Sequence, residues 1–328
     1  MSNRRRAAES DPLIEQRAPW LDPEDAIQEV SYNIVESLRA APAPLAEAIM
    51  PIAVGGKRIR SRAVWWCSAL GGEPRAPEAI RLMTSIELLH LATLVHDDII
   101  DRSPKRRNHP SVHNAVGEPA ALLLGDRLIG ASFRMAASVA TGAFDELGAT
   151  LMAMCDAQYL EISSAFNLDR TLRDVEDIAR GKTGRLFQAA YTIGAQLAGV
   201  SDDLVEVLGT VGMDIGTAFQ LIDDLRDFRT DSDDIEQGNY TSALLLTLDR
   251  DSRSRGILEG EPRTGHSELL TISRRVGALT DAAHTAIRLV SSAEARLASV
   301  RDVHLPTLRA LSHIGATLTQ EAKELARD

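Results

Sequence analysis

The sequence predicts an all-α fold, a single large bundle of mostly antiparallel helices. Of its 328 residues, 44% are hydrophobic but only 4% are aromatic, and Ala and Leu are abundant. Gly and Pro stand mainly in short stretches between long runs of good helix formers, which favours helices over strands. No segment has the composition of a linker. We therefore expect residues 1–22 to form a mobile N-terminal tail and residues 23–328 to form one helical domain.

Charge and cysteine content exclude several classes of protein. A net charge of -11 argues against nucleic acid or an anionic membrane surface as a partner. Cys67 and Cys155, the two cysteines, lie far apart in apolar helical runs, so neither a disulfide framework nor a thiolate metal site is expected. No run approaches 18 uninterrupted apolar residues. These features predict a soluble, cytoplasmic protein without stable membrane insertion.

The N-terminal part of the domain contains a basic turn. Asp22-Pro23 opens a helix that ends near Ala40, before two closely spaced prolines. The segment Gly55-Gly56-Lys57-Arg58-Ile59-Arg60 then enters a helix predicted for 61–70. Backbone N–H groups at a helix start, combined with Lys and Arg, suit an anion. A solvated basic turn is the alternative interpretation.

A long helix predicted for 78–100 ends in the first acidic cluster. Asp97 and Asp101 lie one above the other at this spacing, and Asp98 sits about 100° round the helix. A lane of residues at i, i+3 and i+4 spacing leads up to Asp97 and contains Leu89 and Thr93. Core packing is the ordinary interpretation of such a lane.

A second acidic cluster with the same spacing follows further along the chain. A basic loop at 102–113 precedes helices predicted for 118–141 and 144–164, and residues 180–187 interrupt the helical periodicity. A helix over 202–228 then ends in a second acidic cluster, Asp223, Asp224 and Asp227, which has the spacing of the first. Residues 243–328 are predicted to form further helices.

Two such clusters point to divalent metal. One acidic triple is usually a solvated helix face, but both clusters here follow apolar runs. Facing each other, they would repel strongly unless a cation neutralised them. Oxygen ligands without paired cysteines favour Mg²⁺, with Mn²⁺ as the alternative, and Mg²⁺ commonly joins carboxylates to substrate phosphates. The substrate is therefore expected to be a phosphate ester or a diphosphate.

In this order, from about Gly55 to Thr241, the motifs resemble those of the all-trans polyprenyl diphosphate synthases, the polyprenyl synthetase family. The resemblance implies the isoprenoid synthase fold, with helices around a central cavity. It also implies prenyl transfer: Mg²⁺-dependent head-to-tail condensation of isopentenyl diphosphate with an allylic diphosphate. A homodimer and three metal ions are expected.

The resemblance assigns roles to individual residues. The metal ligands would be Asp97, Asp98, Asp101, Asp223, Asp224 and Asp227. The substrate-binding residues would be Lys57, Arg60, His90, Arg106, Arg107, Lys182, Thr183 and Gln220, with Arg106 on the allylic diphosphate and Arg107 on the isopentenyl diphosphate. The residues expected to be catalytic are Asp97, Asp98, Asp101, Lys182 and Asp223.

The lane below Asp97 predicts product length. Each helical turn descends about 5.4 Å, so Thr93, Ala92, Leu89 and Leu88 would be successive floors for a growing chain. In the family, an aromatic at the fifth position before the first aspartate stops growth early. Ala92 holds that position and does not block it, so we expect products of C20 or longer.

One segment departs from the family pattern. The loop after the second acidic cluster commonly carries one or two Gly-Lys pairs, but residues 231–241 contain no lysine, and Asn239 stands in the place of the later one. A cation that would help to withdraw the leaving diphosphate is therefore missing. Arg226 and Arg229 are its candidate replacements.

Three other functions remain open at this point. A class I terpene synthase would share the first cluster, but it normally replaces the second by an Asn/Ser/Glu constellation and does not need the basic turn. A metal-dependent phosphohydrolase would use His96-Asp97, but it also needs an upstream histidine that is well separated from this pair. The only earlier histidine in the sequence is His90, six residues before His96. A non-catalytic or weakly active subunit of a heteromeric prenyl synthase is disfavoured by the two intact clusters and favoured by the missing lysines.

Overall fold

The computed structural model describes residues 22–230, 234–259 and 262–327, and it confirms the all-α fold class. Apart from Asp22, the predicted N-terminal tail lies outside the described residues. Helices up to the second acidic cluster are α1 (Glu24–Arg39), α2 (Ala43–Ala53), α3 (Ile59–Ser68), α4 (Ala76–Ile100), α5 (Val112–Val116), α6 (Glu118–Ala137), α7 (Thr141–Ser163), α8 (Leu172–Ala179), α9 (Arg185–Ala198) and α10 (Asp202–Thr230).

The C-terminal part is also helical. It contains α11 (Asp234–Gln237), α12 (Ser242–Arg250), α13 (Arg253–Glu259), α14 (Pro262–Arg275), α15 (Ala278–Ser299) and α16 (Leu305–Arg327). Among the described residues, strands occur only in the predicted basic loop, where β1 (Lys105–Arg106) pairs antiparallel with β2 (His109–Pro110).

The two helices that carry acidic clusters occupy the middle of the bundle. α4 packs against α1, α3 and α6, and α10 packs against α9, α15 and α16. α9 contacts both α4 and α10, so it joins the two halves. Its Phe187 and Tyr191 side chains are completely buried. The two acidic clusters are therefore held on one rigid core.

A glycine allows α9 to approach α3 closely. A Cβ atom added at Gly194 would lie 2.6 Å from the Val64 carbonyl oxygen and 2.7 Å from Cys67 Cβ. Contacts this short cannot be relieved by rotating a flexible side chain, because one of them is to backbone. The close packing of α3 on α9 thus fixes the helix that follows the basic turn.

The observed elements differ locally from the predicted ones. α3 begins at Ile59 rather than at 61, directly after Arg58, whose φ of 51° is left-handed. The predicted interruption at 180–187 is a π-helical turn, Arg180–Gly184, that continues α8 into α9. A π turn adds a residue to the helical repeat, and such turns are frequent at functional sites.

One described helix, α10, is long and apolar enough to cross a membrane by length and composition. However, 61% of its most apolar window is buried inside the protein. Because α10 packs against α8, α9, α12, α15 and α16, its apolar residues have a partner surface in the bundle. It is a core helix.

Candidate active site

A cavity of about 1010 Å³ brings the two acidic clusters and the basic residues together. Its walls come from α3, α4, the β1–β2 hairpin, α7, the π turn, α9 and α10. Most of the sequence-predicted site residues line it: Lys57, Arg60, His90, Thr93, Asp97, Asp101, Arg106, Arg107, Lys182, Thr183, Gln220, Asp223, Asp224 and Asp227. The structure thus brings these predicted residues together in one cavity.

Asp98 is an exception among the acidic residues. It is 1% exposed and does not line the cavity. Its Oδ1 accepts hydrogen bonds from Arg106 Nε at 2.9 Å and from Nη2 at 2.5 Å. The prediction that Asp98 is a metal ligand is therefore corrected: its position one residue round the helix from Asp97 turns it away, and it orients Arg106 instead.

The predicted chain-length lane is also corrected. Thr93 lines the cavity, but Leu88, Leu89 and Ala92 are 0% exposed and lie off its wall. Ala92 and Leu88 point about 100° and about 140° away from Thr93 round the helix. Leu89 lies one turn before Thr93 on the same face, but it is packed in the hydrophobic core, while Leu94 joins Thr93 on the cavity side. A growing chain would first meet Thr93 and Leu94.

Burial dominates the chemistry of the acidic clusters. It raises the pKa of Asp97 to about 6, although Lys182 opposes the shift. It raises the pKa of Asp224 to about 8, against a hydrogen bond from Gln220. Burial likewise raises the pKa of Asp101 and Asp227. Desolvation disfavours charged carboxylates, so without a ligand these groups hold less negative charge than their number implies.

Gln220 connects the π turn to the second acidic cluster. Its Oε1 accepts a hydrogen bond from Thr183 Oγ1 at 2.5 Å, and its Nε2 donates to Asp224 Oδ1 at 2.7 Å. A Cβ at Gly184 would lie 2.8 Å from Thr217 Oγ1, which shows how closely the turn approaches α10. The π turn therefore places Thr183, and with it Lys182, next to the acidic helix.

Lys182 lies between the acidic residues of α4 and a glutamate on α7. Its Nζ donates a short hydrogen bond to Glu161 Oε2. Burial alone would lower the pKa of Lys182, but Glu161 and Asp97 raise it above its usual value. The lysine is therefore charged, and it offsets part of the carboxylate charge in the cavity.

The polar residues that line the cavity and that the sequence analysis did not assign to the site include Gln158, Glu161, Arg170 and Asp234. Gln158 and Glu161 stand three residues apart on α7, and Gln158 Nε2 donates to Glu161 Oε2 at 3.2 Å. Residues at this spacing share one face of a helix, and this shared face is the signal in the sequence that could have indicated that both residues border the cavity. Arg170 donates to Ser164 Oγ and, at 3.4 Å, to the Glu161 carbonyl oxygen.

At the other end of the cavity, Arg60 and His90 form a basic pair. Arg60 Nη1 lies 3.5 Å from His90 Nε2, and its guanidinium lies 4.6 Å from the Phe187 ring centre. Burial lowers the pKa of Arg60 to about 10, and burial together with Arg60 lowers the pKa of His90 well below its usual value. His90 is thus neutral beside a charged arginine. Arg60 Nε is buried without a hydrogen-bond partner, which suits an anionic ligand.

Buried contacts hold this basic end in place. Arg58 Nη1 donates to Glu87 Oε2 at 2.7 Å, and Ser61 Oγ donates to Glu87 Oε1 at 2.8 Å. Arg107 Nη1 donates to the carbonyl oxygens of Ile52 and Gly55, each at 2.6 Å. These bonds tie the basic turn to α4 and to the hairpin. Lys57 and Arg60 are therefore presented from a fixed backbone.

The residues present fit Mg²⁺ by their chemistry. Carboxylates from α4 and α10 supply hard oxygen donors. Burial raises the pKa of Asp97 and Asp224, so a bound cation would offset the cost of burying their charged forms. Within the described ranges, no three His, Cys, Asp or Glu side chains are arranged so that they could hold one ion. Arg226, for example, donates to Asp223 Oδ1, so ligation requires side-chain movement.

Comparison with characterised proteins agrees with this geometry. The nonaprenyl diphosphate synthase of Mycobacterium tuberculosis is 30% identical, over 79% of this chain and 81% of that protein. The geranylgeranyl diphosphate synthase of Methanosarcina mazei is 29% identical, over 77% of this chain and 83% of that protein.

A similar solved structure is the polyprenyl synthase of Caulobacter crescentus, complexed with calcium and isoprenyl diphosphate. It superimposes with a TM-score of 0.83 at 25% identity, over 90% of this chain and 95% of that one. The Polyprenyl synthetase family pattern matches residues 42–263. The chain therefore belongs to the polyprenyl synthetase family and is a prenyltransferase.

Proposed function

We propose that this protein is an all-trans polyprenyl diphosphate synthase that condenses isopentenyl diphosphate with an allylic diphosphate and releases a product of C20 or longer. The observation that carries the proposal is the single cavity shared by two acidic clusters, a basic end and an apolar wall. Acidic clusters suit metal-bound diphosphate, the basic end suits a second diphosphate, and the apolar wall suits hydrocarbon. The same arrangement favours it over a terpene synthase or a non-catalytic subunit.

The allylic diphosphate would bind at the acidic end. Asp97, Asp101 and Asp223 would hold Mg²⁺, with Asp224 and Asp227 nearby, and three ions are proposed, with Mn²⁺ as the alternative. When bound, the metal supplies positive charge that stabilises the departing diphosphate. Arg106, oriented by Asp98, and Lys182, oriented by Glu161, would donate hydrogen bonds to diphosphate oxygens.

Isopentenyl diphosphate would bind at the basic end. Lys57, Arg60 and Arg107 would supply charge-assisted donors, and neutral His90 would supply a further hydrogen bond. Arg60 supports this, because it lines the cavity and its Nε is a buried donor without a hydrogen-bond partner in the protein. Thr183 and Gln220, which are bonded to each other, would line the path between the two substrates.

The proposed reaction needs no nucleophilic side chain, because the two substrates supply all the bonds and electron pairs that change. The C1–O bond of the allylic diphosphate breaks, and the diphosphate leaves with the electron pair. The double bond of isopentenyl diphosphate attacks C1 and forms the new C–C bond. The resulting cation loses a proton to the released diphosphate, which regenerates a double bond. Residues of the chain orient both substrates, bind both diphosphates and exclude water.

We also propose a homodimer in the cytoplasm. Five exposed large apolar side chains that do not line the cavity lie on α6 and α7: Leu122, Leu123, Phe144, Met152 and Leu160. A large exposed apolar surface commonly marks a protein interface, and a second copy would bury it symmetrically.

The proposed cytoplasmic location rests on the cysteines. Both cysteines are free thiols, which agrees with a reducing compartment.

Prenyl transfer is tested by incubating the protein with radiolabelled isopentenyl diphosphate and each allylic diphosphate in turn, with Mg²⁺ or with chelator. We expect a prenyl product only with Mg²⁺.

Asp97→Ala and Asp223→Ala should each abolish turnover but retain the fold, because removing a carboxylate relieves repulsion. Asp249→Ala, an exposed acid on α12, is the control. If Asp97→Ala or Asp223→Ala kept more than about a tenth of the wild-type activity, which corresponds to roughly 1.4 kcal/mol in the activation barrier, the metal-ligand assignment would be contradicted.

Product length is tested at Thr93. Thr93→Phe should shorten the product and leave the first condensation nearly as fast, because the ring narrows the cavity but replaces none of the residues proposed to bind metal or diphosphate. Thr93→Val, which keeps the volume, is the control and should leave product length unchanged. Chromatography of the dephosphorylated products measures both. An unchanged length in Thr93→Phe would show that the floor lies elsewhere.

The dimer is tested by light scattering. Wild type should have twice the mass of one chain, and a Leu123→Glu, Met152→Glu double variant should have the mass of one chain, because it buries charge at the interface. Leu305→Glu places the same charge at a residue that is 64% exposed on α16 and should leave the dimer intact. A monomeric wild type, or dissociation by the control as well, would be inconsistent with this interface.

A further inference from the structure

We propose that Arg226 is a diphosphate-binding residue for the allylic substrate and that, in the ligand-free protein, it is latched between Asp223 and Glu321. This inference rests on the function proposed above. It assigns a role to the C-terminal helix α16, which contributes no residue to the wall of the cavity in the described part of the chain.

The contacts of Arg226 define the latch. The side chain lines the cavity one turn after Asp223 on α10. Its Nη1 donates a hydrogen bond to Asp223 Oδ1, and its Nη2 donates to Glu321 Oε1 on α16. Between 29% and 39% of each of the three side chains is exposed. They therefore stand at the cavity edge, where a ligand can reach them.

Charge on this wall of the cavity is strongly unbalanced. Within residues 223–230 and 234–241, one cation lines the cavity, Arg226. The same residues contribute four cavity-lining carboxylates: Asp223, Asp224, Asp227 and Asp234. Segment 234–241 contains neither Lys nor Arg. On this wall, the one guanidinium that could bind a diphosphate held beside Asp223 is that of Arg226, which is paired with Asp223.

Ligand binding would release half of the latch. Once Asp223 is neutralised by a bound cation, its attraction for Arg226 weakens, because the pair depends on the carboxylate charge. The freed Nη1 and the planar fork of the guanidinium then match two oxygens of a diphosphate. Glu321 holds Nη2 at the cavity edge and competes with the diphosphate for the guanidinium.

Arg229 is a matched control for Arg226. It lies one turn further along α10, and its Nη1 donates to the Leu325 carbonyl oxygen of α16 at 2.7 Å. It does not line the cavity. Both arginines thus connect the same two helices, but only Arg226 can reach a ligand. A structural effect of losing one α10–α16 contact would appear in both variants.

The first test is calorimetric titration with inorganic diphosphate in the presence of Mg²⁺. Arg226→Gln should weaken diphosphate binding about tenfold, the lower end for a charge-assisted hydrogen bond at a partly exposed site. Arg226→Lys should recover part of the affinity, and Arg229→Gln should bind as wild type does. Wild-type affinity in Arg226→Gln, or an equal loss in Arg229→Gln, overturns the proposal.

The latch is tested by a double-mutant cycle. Glu321→Gln should tighten diphosphate binding about threefold in the wild-type background, because the amide competes less strongly for the guanidinium. It should change nothing in the Arg226→Gln background, since Glu321 acts through Arg226. An equal effect in both backgrounds, or no effect in either, overturns the latch.

Kinetics separate this inference from the proposed function. Arg226→Gln should raise KM for the allylic substrate and leave KM for isopentenyl diphosphate unchanged, because the second substrate binds at the basic end. A wild-type protein that forms no prenyl product refutes the proposed function and leaves the diphosphate titration to decide the role of Arg226. An active wild type with unchanged diphosphate binding in Arg226→Gln refutes the role of Arg226 alone.

Discussion

The arrangement of the active site depends on the cost of burying carboxylates that face each other across a cavity. Asp97 on α4 and Asp224 on α10 both have raised pKa values, because burial disfavours their charged forms. The ligand-free protein offsets this cost with local cations: Lys182 lies beside Asp97, and Arg226 pairs with Asp223. Under the proposed function, divalent metal and diphosphate would offset the same cost, so the buried carboxylates would favour ligand binding.

The helical core keeps these charges in place. α9 contacts both acidic helices, and the π turn at its start brings Thr183 into hydrogen-bonding distance of Gln220. Gly194 permits the close approach that fixes α3 and the basic turn against α9. The two proposed diphosphate sites, one acidic and one basic, are thus held on a common helical core. Rigid positioning of two substrates is a large part of what this reaction requires.

Helical periodicity in the sequence predicted the fold, and it predicted most of the residues that meet in the cavity. Asp97 and Asp101 are four residues apart and share a face, and both line the cavity as expected. The same geometry explains the errors. Asp98 is turned about 100° from Asp97 and pairs with Arg106, and Ala92, adjacent to Thr93, faces the core.

Other features depend on contacts between distant segments and could not be read from local patterns. The pairing of Glu161 with Lys182 joins α7 to the π turn, and the pairing of Arg226 with Glu321 joins α10 to α16. No periodicity in the sequence indicates either pair. The apolar lane similarly shows which residues are buried, but only the packing of α4 shows which of them border the cavity.

The central claim is that the acidic clusters of α4 and α10 act as one metal-dependent diphosphate site. A crystal structure of the protein with Mg²⁺ and inorganic diphosphate tests it most directly. The account predicts metal ions ligated by Asp97 and Asp101 on one side and by Asp223 on the other, all bound to the same diphosphate. Ions at only one cluster, or a diphosphate bound away from both, would contradict it.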